Sequence, residues 1–363
     1  MANYGKPAKY RRKRGALCAR LCLEQLEPRE LLAVGLDLSF GHNGLVNTAL
    51  GDSVKAYDRA KVAESPDGKI VVATTAWSAQ GTQEVIALRL LADGALDLSF
   101  GTGGEVVLPF VEMHSWSFPT DDLALVVQPD GKILLGGSAE TSPPNSYSPT
   151  FALALERLNV DGSADATFGH GGAVITAVSH TDSFGGMSLE ADGKIVLVGT
   201  AHFGLDFTSS YKQGFEVVRY NPNGSLDTSF SGIGETTTYI DGRISDGLAV
   251  AVQPDDRIVA AGSAFGELTL IRYNADGTLD NGFGVGGKVI NQSIDLINQD
   301  TAAVLPNGDL VIGGFHLVAW YDSRGNLLNL RTDVPGDVSS FGIAPNGDLL
   351  AGGQGGHRDS RHP

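Results

Sequence analysis

The sequence predicts an all-β fold, a β-propeller of about six four-stranded blades with a short basic N-terminal tail. One hairpin motif occurs six times, a second motif alternates with it, and no body segment keeps a helical period. Glycine makes up 48 of 363 residues, well above the usual share of about 7%. We expect this excess because tight hairpin turns need residues with positive φ.

The first motif reads ESPDGKIVVAT at residues 64–74. An Asp-Gly or Asn-Gly pair between short segments rich in Val, Ile and Leu is typical of a tight β-hairpin. Each copy therefore predicts two strands joined by a turn. The copies lie at residues 64–74, 128–137, 190–199, 253–262, 305–314 and 344–353.

The second motif reads LRLLADGALDLSFGTGGEV at residues 88–106 and predicts another hairpin. Two hairpins in each unit give four strands, which is the strand number of a propeller blade. Full copies lie at residues 88–106, 155–174, 217–235 and 270–289, and a partial copy lies at residues 36–46.

The last two units are shortened. The fifth lacks the F-G-x-G-G stretch, and the sixth lacks its outer strands. Residues 35–48 begin with the outer half of a unit, so we expect them to complete the last blade and close a six-bladed ring. Closure removes exposed strand edges. A larger truncated ring or an open array is the alternative.

One phenylalanine occupies the same place in every copy of the second motif. Recurring apolar positions in repeats usually form the core between neighbouring units. We therefore assign a structural role, not a ligand role, to Phe40, Phe100, Phe168, Phe230 and Phe283.

The alternating QPDGKIVVAG-like and RLNADGSLDxSFGxGG-like motifs resemble those of bacterial delta-60 repeat proteins, a β-propeller family. The resemblance covers residues 35–353, nearly the whole body. It implies a propeller fold. It implies no particular activity and no site residues.

The N-terminal segment differs from the body in charge. Residues 1–34 hold eight basic and three acidic residues, whereas the whole chain has a net charge of −16. LEQLEPRELLA at residues 23–33 resembles the LEPR-x-LL segment at the start of many planctomycete exported or cell-surface proteins. The resemblance implies export, with the cytoplasm as the alternative. We expect a targeting tail at 1–34, a propeller at 35–353 and a polar C-terminal tail at 354–363.

No motif points to catalysis. The sequence contains no H-E-x-x-H and no G-x-S-x-G pattern, so we assign no catalytic residue, metal site or cofactor. Carboxylate pairs such as Asp93 and Asp97 flank the turns, but calcium takes six to eight oxygens. Turn and capping roles are favoured, with structural calcium as the alternative.

Composition also limits the partners. The acidic body argues against nucleic-acid binding. No apolar run approaches the length of about 18 residues that a membrane span needs, so we expect no transmembrane segment.

Propeller topology predicts where ligands bind. Both hairpin turns of a blade lie on one face, and the longer, variable loops lie on the other, where function usually resides. Aromatic and histidine side chains in these loops are candidates for contacts with sugars or peptides, and the alternative is that they cover the blade ends. The candidates are His114, Trp116, Phe118, Tyr147, Phe203, Phe207 and Tyr211.

These patterns together predict a non-enzymatic binding or interaction propeller of an exported or cell-surface bacterial protein. We expect a monomer with a protein or glycan partner. The first strands, which face the ring axis, are mostly apolar, and this favours binding over catalysis. The alternatives are a hydrolase or lactonase-like propeller enzyme with a central metal, and a structural surface or adhesion component.

Overall fold

A computed structural model describes most of the body of the chain. The described residues are 24–25, 39–43, 45–46, 55–56, 60–77, 83–108, 123–142, 150–203, 212–242, 244–295, 301–334, 336–343 and 349–354. They form six antiparallel sheets and no helix. The all-β propeller prediction is confirmed.

The sheets follow one another along the chain, and we number them as blades 1 to 6. Strand β1 (Glu24–Gln25) precedes blade 1 in sequence. Blade 1 contains β2 (Lys55–Ala56), β3 (Lys61–Glu64), β4 (Ile70–Trp77), β5 (Gln83–Leu90) and β6 (Glu105–Leu108). Blade 2 contains β7 (Ala124–Val127), β8 (Ile133–Glu140), β9 (Phe151–Leu158) and β10 (Ala173–Thr176). Blade 3 contains β11 (Thr181–Leu189), β12 (Ile195–Phe203), β13 (Lys212–Tyr220) and β14 (Glu235–Thr238).

Blades 4 to 6 follow along the chain. Blade 4 contains β15 (Ser245–Val252), β16 (Ile258–Ala264), β17 (Glu267–Tyr273) and β18 (Lys288–Asp295). Blade 5 contains β19 (Thr301–Val304), β20 (Leu310–Gly314), β21 (Leu317–Tyr321) and β22 (Leu327–Arg331). Blade 6 contains β23 (Asp337–Ile343) and β24 (Leu349–Gln354), and β1 pairs with β24.

Blades 2 to 5 are simple meanders in which each strand pairs with the next one along the chain. In blade 1 the innermost strand is split, because β2 and β3 both pair with β4. In blade 6, Glu24 lies opposite Ala351 and Gln25 lies opposite Leu350. These two residues fall in the segment that the sequence assigns to the tail, so part of that segment pairs with the propeller.

The first strands of consecutive blades pack against one another, from β3 through β7, β11, β15 and β19 to β23. Small residues permit this approach. A Cβ on Gly185 of β11 would lie 2.1 Å from the carbonyl oxygen of Gly247 in β15, so only glycine fits there.

Two turns recur in every complete blade. The inner turn joins the first two strands and the outer turn joins the last two. In the inner turn of blade 2, Gln128 N–H donates to the Lys132 carbonyl at 2.8 Å, and Asp130 Oδ1 accepts the Lys132 N–H at 3.1 Å. Gly131 has a φ of 82°, which explains the glycine of the motif. The side of the ring that carries these turns is here called the turn face.

Apolar clusters fill the seams between consecutive blades. Phe100 packs with Ile133 of blade 2, and Phe283 packs with Leu310 of blade 5. Each such ring contributes about 1.5–3 kcal/mol by burial. The fully buried members of the recurring set are Phe100, Phe168, Phe230 and Phe283, whereas Phe40 is half-buried.

Backbone hydrogen bonds link consecutive blades on the turn face. The N–H of the residue after each recurring phenylalanine donates to a carbonyl in the outer turn of the next blade. The pairs are Gly101 to Asp161 (2.8 Å), Gly169 to Asn223 (2.9 Å), Ser231 to Asp276 (2.7 Å), Gly284 to Arg324 (3.0 Å) and Gly41 to Asp93 (2.7 Å). The last pair joins the N-terminal partial copy to the outer turn of blade 1.

Candidate functional site

The turn face carries a repeated cluster of three side chains, here called the node. An arginine near the end of the third strand donates from Nε to the Oδ2 of an aspartate at 2.8 Å, and its guanidinium lies 4.5–4.9 Å from the ring centroid of the recurring phenylalanine. The nodes are Arg89–Asp97–Phe100, Arg157–Asp165–Phe168, Arg219–Asp227–Phe230 and Arg272–Asp280–Phe283. All four arginines are buried.

The node arginine also joins its blade to the next one. Arg157 Nη1 donates to the carbonyl of Pro222 in blade 3 at 2.5 Å. Arg89 and Arg272 make the same bond to the carbonyls of Val160 and Ser323. One buried cation therefore satisfies a carboxylate in its own blade and a carbonyl in the neighbouring outer turn.

A second cation from the inner turn lies above each node aspartate. Lys132 Nζ is 3.0 Å from Asp165 Oδ2, and Arg257 Nε is 3.3 Å from Asp280 Oδ2. Burial favours the neutral form of Asp165, but hydrogen bonds from Thr167 and Lys132 and the Arg157 charge outweigh it and hold its pKa well below the usual range. The node aspartates are therefore charged partners of the arginines.

The seam between blades 4 and 5 departs from this repeat at two positions. The inner-turn cation is Arg257, where blades 1 to 3 have lysine. The outer-turn residue before the glycine is Arg324, where blades 1 to 4 have Asp93, Asp161, Asn223 and Asp276. A side chain that is acidic or neutral at the other outer turns is a cation here.

The outer turn of blade 5 is rebuilt around this arginine. In blade 4, the turn is held by Asp276, whose Oδ1 accepts the N–H of Thr278 at 3.0 Å. In blade 5, Asp322 takes over this function from two residues earlier: its Oδ1 accepts the N–H groups of Arg324 at 2.9 Å and Asn326 at 2.8 Å. The Arg324 side chain is thereby not needed to hold the turn.

These departures lie beside an open cleft of about 570 Å³ on the turn face. We call it the blade 4–5 cleft. Residues of the two inner turns, the node of blade 4 and the outer turn of blade 5 form its walls. They are Gln253, Pro254, Asp255, Arg257, Arg272, Asp280, Gly282, Pro306, Asn307, Gly308, Ser323 and Arg324. The cleft is thus lined by three arginines and two aspartates.

The floor of the cleft is fixed by hydrogen bonds. Arg272 bonds to Asp280, to the Ser323 carbonyl and, at 3.2 Å, to Gln253 Oε1. The Nε2 of Gln253 then donates to the Gly308 carbonyl at 2.9 Å. This chain of bonds holds the inner turns of blades 4 and 5 and the outer turn of blade 5 in one rigid arrangement.

The sequence predicts that its candidate ligand residues lie in loops on the face opposite the turn face. Six of the seven candidate ligand residues, His114, Trp116, Phe118, Tyr147, Phe207 and Tyr211, lie outside the described residues. The seventh, Phe203, ends β12 half-buried, and its ring lies edge-on to Tyr239 with centroids 6.2 Å apart. Lys212 Nζ is 5.7 Å from the Tyr239 ring. The loop-face ligand role stays a prediction.

The paired turn carboxylates have protein partners. Asp93 Oδ1 accepts the Ala95 N–H at 3.0 Å, and Asp97 accepts bonds from Ser99 and Arg89. Across the described ranges, no three His, Cys, Asp or Glu side chains are arranged to hold a metal ion. No helix in the described part of the chain is long and apolar enough to cross a membrane.

Sequence reasoning missed the nodes and the cleft. An arginine recurs eight residues before the aspartate in four copies of the second motif, and that recurrence was the available signal for the nodes. The cleft has a weaker signal, because Arg324 stands out only when the outer turns are aligned with one another.

Comparison with known proteins supports a propeller repeat family. Four segments match a family model described as a domain of unknown function (DUF5122) beta-propeller, at residues 65–100, 128–168, 190–230 and 253–283. These segments contain the inner turns and outer turns of blades 1 to 4. A search of curated proteins finds no match.

Solved structures with a similar fold are distant in sequence. A protein of unknown function from Dyadobacter fermentans is 14% identical, with 85% of this chain and 96% of that chain covered and a TM-score of 0.47. The gluconolactonase XC5397 from Xanthomonas campestris is 15% identical, with 85% and 99% covered and a TM-score of 0.40. NanB, a sialidase from Streptococcus pneumoniae, in its structure with Optactamide is 8% identical, with 85% and 66% covered and a TM-score of 0.50.

Proposed function

We propose that this chain is a non-enzymatic binding module of an exported or cell-surface bacterial protein, and that it holds its partner at the blade 4–5 cleft. The observation that carries the proposal is the pair of departures from the repeat, Arg257 and Arg324, at the seam where the cleft lies. At the other four outer turns this position holds aspartate or asparagine, so the packing of the repeat does not require an arginine there.

The scaffold around the cleft suits binding. Its walls come from rigid turns whose backbone groups are hydrogen-bonded, and the node beneath them is buried. Preorganised walls lose little conformational entropy when a ligand binds. A cleft of this size also falls in the usual range of small-molecule sites, about 300–1,000 Å³.

The cellular setting of the proposal rests on sequence resemblance. The repeats resemble the delta-60 kind, and residues 23–33 resemble the LEPR-x-LL segment of planctomycete exported proteins. We therefore propose an extracellular or cell-surface location, with a glycan or protein as the partner. Fractionation of expressing cells tests the location, and intact protein confined to the cytoplasm would contradict it.

A thermal-shift screen of the full chain tests the binding function. The panel contains neutral and acidic sugars, short peptides and metal chlorides. A ligand that binds only the folded state stabilises it by about 2.7 kcal/mol at a hundredfold excess over its Kd, so we expect at least one sugar or peptide to raise Tm by several degrees. Catalytic turnover of a lactone or glycoside, or a panel with no effect on Tm, would contradict the proposal.

A further inference from the structure

We propose that the blade 4–5 cleft binds the carboxylate group of a small polar ligand, gripped by the guanidinium groups of Arg257 and Arg324. This inference rests on the proposed binding function and adds the chemical class of the ligand.

The net charge of the cleft lining favours a ligand with a single negative charge. Three arginines and two aspartates line it, so the lining has one excess positive charge on a chain with a net charge of −16. A carboxylate monoanion balances that excess. A phosphate dianion would place additional negative charge beside Asp255 and Asp280, where repulsion opposes it.

The three arginines of the cleft differ in how many of their hydrogen-bond donors are used within the protein. Arg272 uses its guanidinium within the protein, on Asp280, Gln253 and the Ser323 carbonyl. Arg257 donates from Nη1 to Asp255 at 2.9 Å and has Nε 3.3 Å from Asp280. Its Nη2 makes no hydrogen bond to the described residues, and neither does the guanidinium of Arg324. These two arginines therefore supply the donors, and a planar guanidinium matches the two oxygens of a carboxylate.

The other seams show which charge acts on the side chain at the position of Arg324. Hydrogen bonds from Ser163, with a further contribution from the node arginine Arg89, lower the pKa of Asp161. Bonds from Thr278 and the charge of Arg219 do the same for Asp276. An outer-turn side chain thus interacts with the node cation of the preceding blade. An arginine at this position places a second cation near the node arginine, and a bound anion interacts favourably with both.

The rest of the lining combines polar side chains with prolines. Asn307 and Ser323 line the cleft beside Pro254 and Pro306, and no aromatic ring does so within the described ranges. A ligand with hydroxyl groups next to its carboxylate, such as an acidic sugar, fits this chemistry better than an apolar acid.

The test is a titration of the full chain with glucuronate at pH 7, followed by 15N–1H NMR. We expect the backbone signals of Gly308 and Arg324 to shift. The methyl ester of glucuronate, which has no charge and one additional methyl group, should bind at least roughly tenfold more weakly. Equal binding of acid and ester would overturn the proposal. Tighter binding of inorganic phosphate than of glucuronate would overturn the assignment of a monoanion.

Variants locate the site. Arg324→Asp introduces the residue that the outer turns of blades 1, 2 and 4 have, and we expect it to weaken glucuronate binding at least roughly tenfold. Arg324→Lys keeps the positive charge but lacks the planar guanidinium. Its affinity for glucuronate should lie between those of the parent and Arg324→Asp. Arg331→Asp makes the same change of charge on β22 and serves as the control. If Arg324→Asp unfolds like the parent and binds glucuronate with unchanged affinity, the blade 4–5 cleft is not the binding site.

The outcomes separate this inference from the proposed function. If a neutral sugar or a peptide raises Tm but glucuronate leaves the cleft signals unchanged, the chain is a binding module and the carboxylate assignment is wrong. If no member of the panel binds, both proposals are wrong.

Discussion

Carboxylates lie in two opposite settings in this propeller. On the turn face, Asp97, Asp165, Asp227 and Asp280 each lie against a buried arginine, and their pKa values are lowered. In the seam between blades 2 and 3, Asp182 and Glu216 are fully buried. Burial, together with the nearby charges of Asp182 and Glu235, raises the pKa of Glu216 well above its usual value.

The difference follows from the repeat. The turn-face carboxylates recur with their arginines, so each is compensated in the same way. Glu216 occurs once: the equivalent positions, three residues before the node arginine, hold Ile86, Ala154 and Thr269. Neither carboxyl oxygen of Glu216 has a hydrogen-bond donor in the described part of the chain. Repeated polar groups stabilise this fold at neutral pH, whereas the single-copy carboxyl destabilises it once ionised.

The largest expected effect is removal of a node arginine. Arg157→Met removes the buried cation that joins Asp165 to the Pro222 carbonyl and leaves Lys132 as the remaining cation at Asp165. Removing one partner of a buried pair costs roughly 3–5 kcal/mol. Urea unfolding at pH 7 measures it. The exposed Arg331→Met is the control and should stay within about 0.5 kcal/mol of the parent. A loss below about 1 kcal/mol for Arg157→Met would mean that the nodes are not the stabilising element.

The second prediction concerns the stability of the fold at low pH. The pKa of Asp165 is lower in the folded state than its ordinary value of 3.8, so its stabilising effect is present above that pH and is lost as the pH falls through the folded pKa. Asp165→Asn should cost roughly 1.5–3 kcal/mol at pH 7, since hydrogen bonds to a charged group are removed. Unfolding measured from pH 7 to pH 2 should show the difference shrinking. A constant difference would contradict the assignment.

A smaller effect of opposite sign is expected at Glu216. Its folded pKa lies well above 4.5, so the stability of the protonated form is complete below pH 4.5 and is lost as the pH rises through the folded pKa. Glu216→Gln cannot ionise and should be more stable than the parent by roughly 1–3 kcal/mol at alkaline pH. The exposed Glu64→Gln should show no such gain. If both variants behave alike, Glu216 is not the source of the pH dependence.

Much of the architecture was predictable because its signals are local. The Asp-Gly and Asn-Gly turns fix the hairpins, and hairpins in units of two predict the blades and their count. The pairing of β1 was not predicted, since Glu24 and Gln25 belong to a segment whose charge resembles that of a targeting tail.

The candidate site could not be predicted from local signals. Arg272 and the Ser323 carbonyl are 51 residues apart in sequence and meet only when blades 4 and 5 pack. Glu216 and Asp182 are likewise separated by the whole of β12. A comparison of the repeats with one another identifies Arg324 and Glu216 as departures. Their contacts, however, form only when the strands and blades pack together, so the sequence does not show them.

The central claim is that two departures from the repeat create the blade 4–5 cleft and its specificity, and the most direct measurement is to transplant them. The seam between blades 2 and 3 already has Gln128, Pro129 and Asp130 in matching positions. In the variant Lys132→Arg/Asn223→Arg/Asp192→Asn, the first two substitutions supply the two arginines, and the third supplies the counterpart of Asn307. In a glucuronate titration followed by 15N–1H NMR, we predict that the signals around Gly193 shift in addition to those around Gly308. A folded variant in which only the Gly308 region responds would contradict the account.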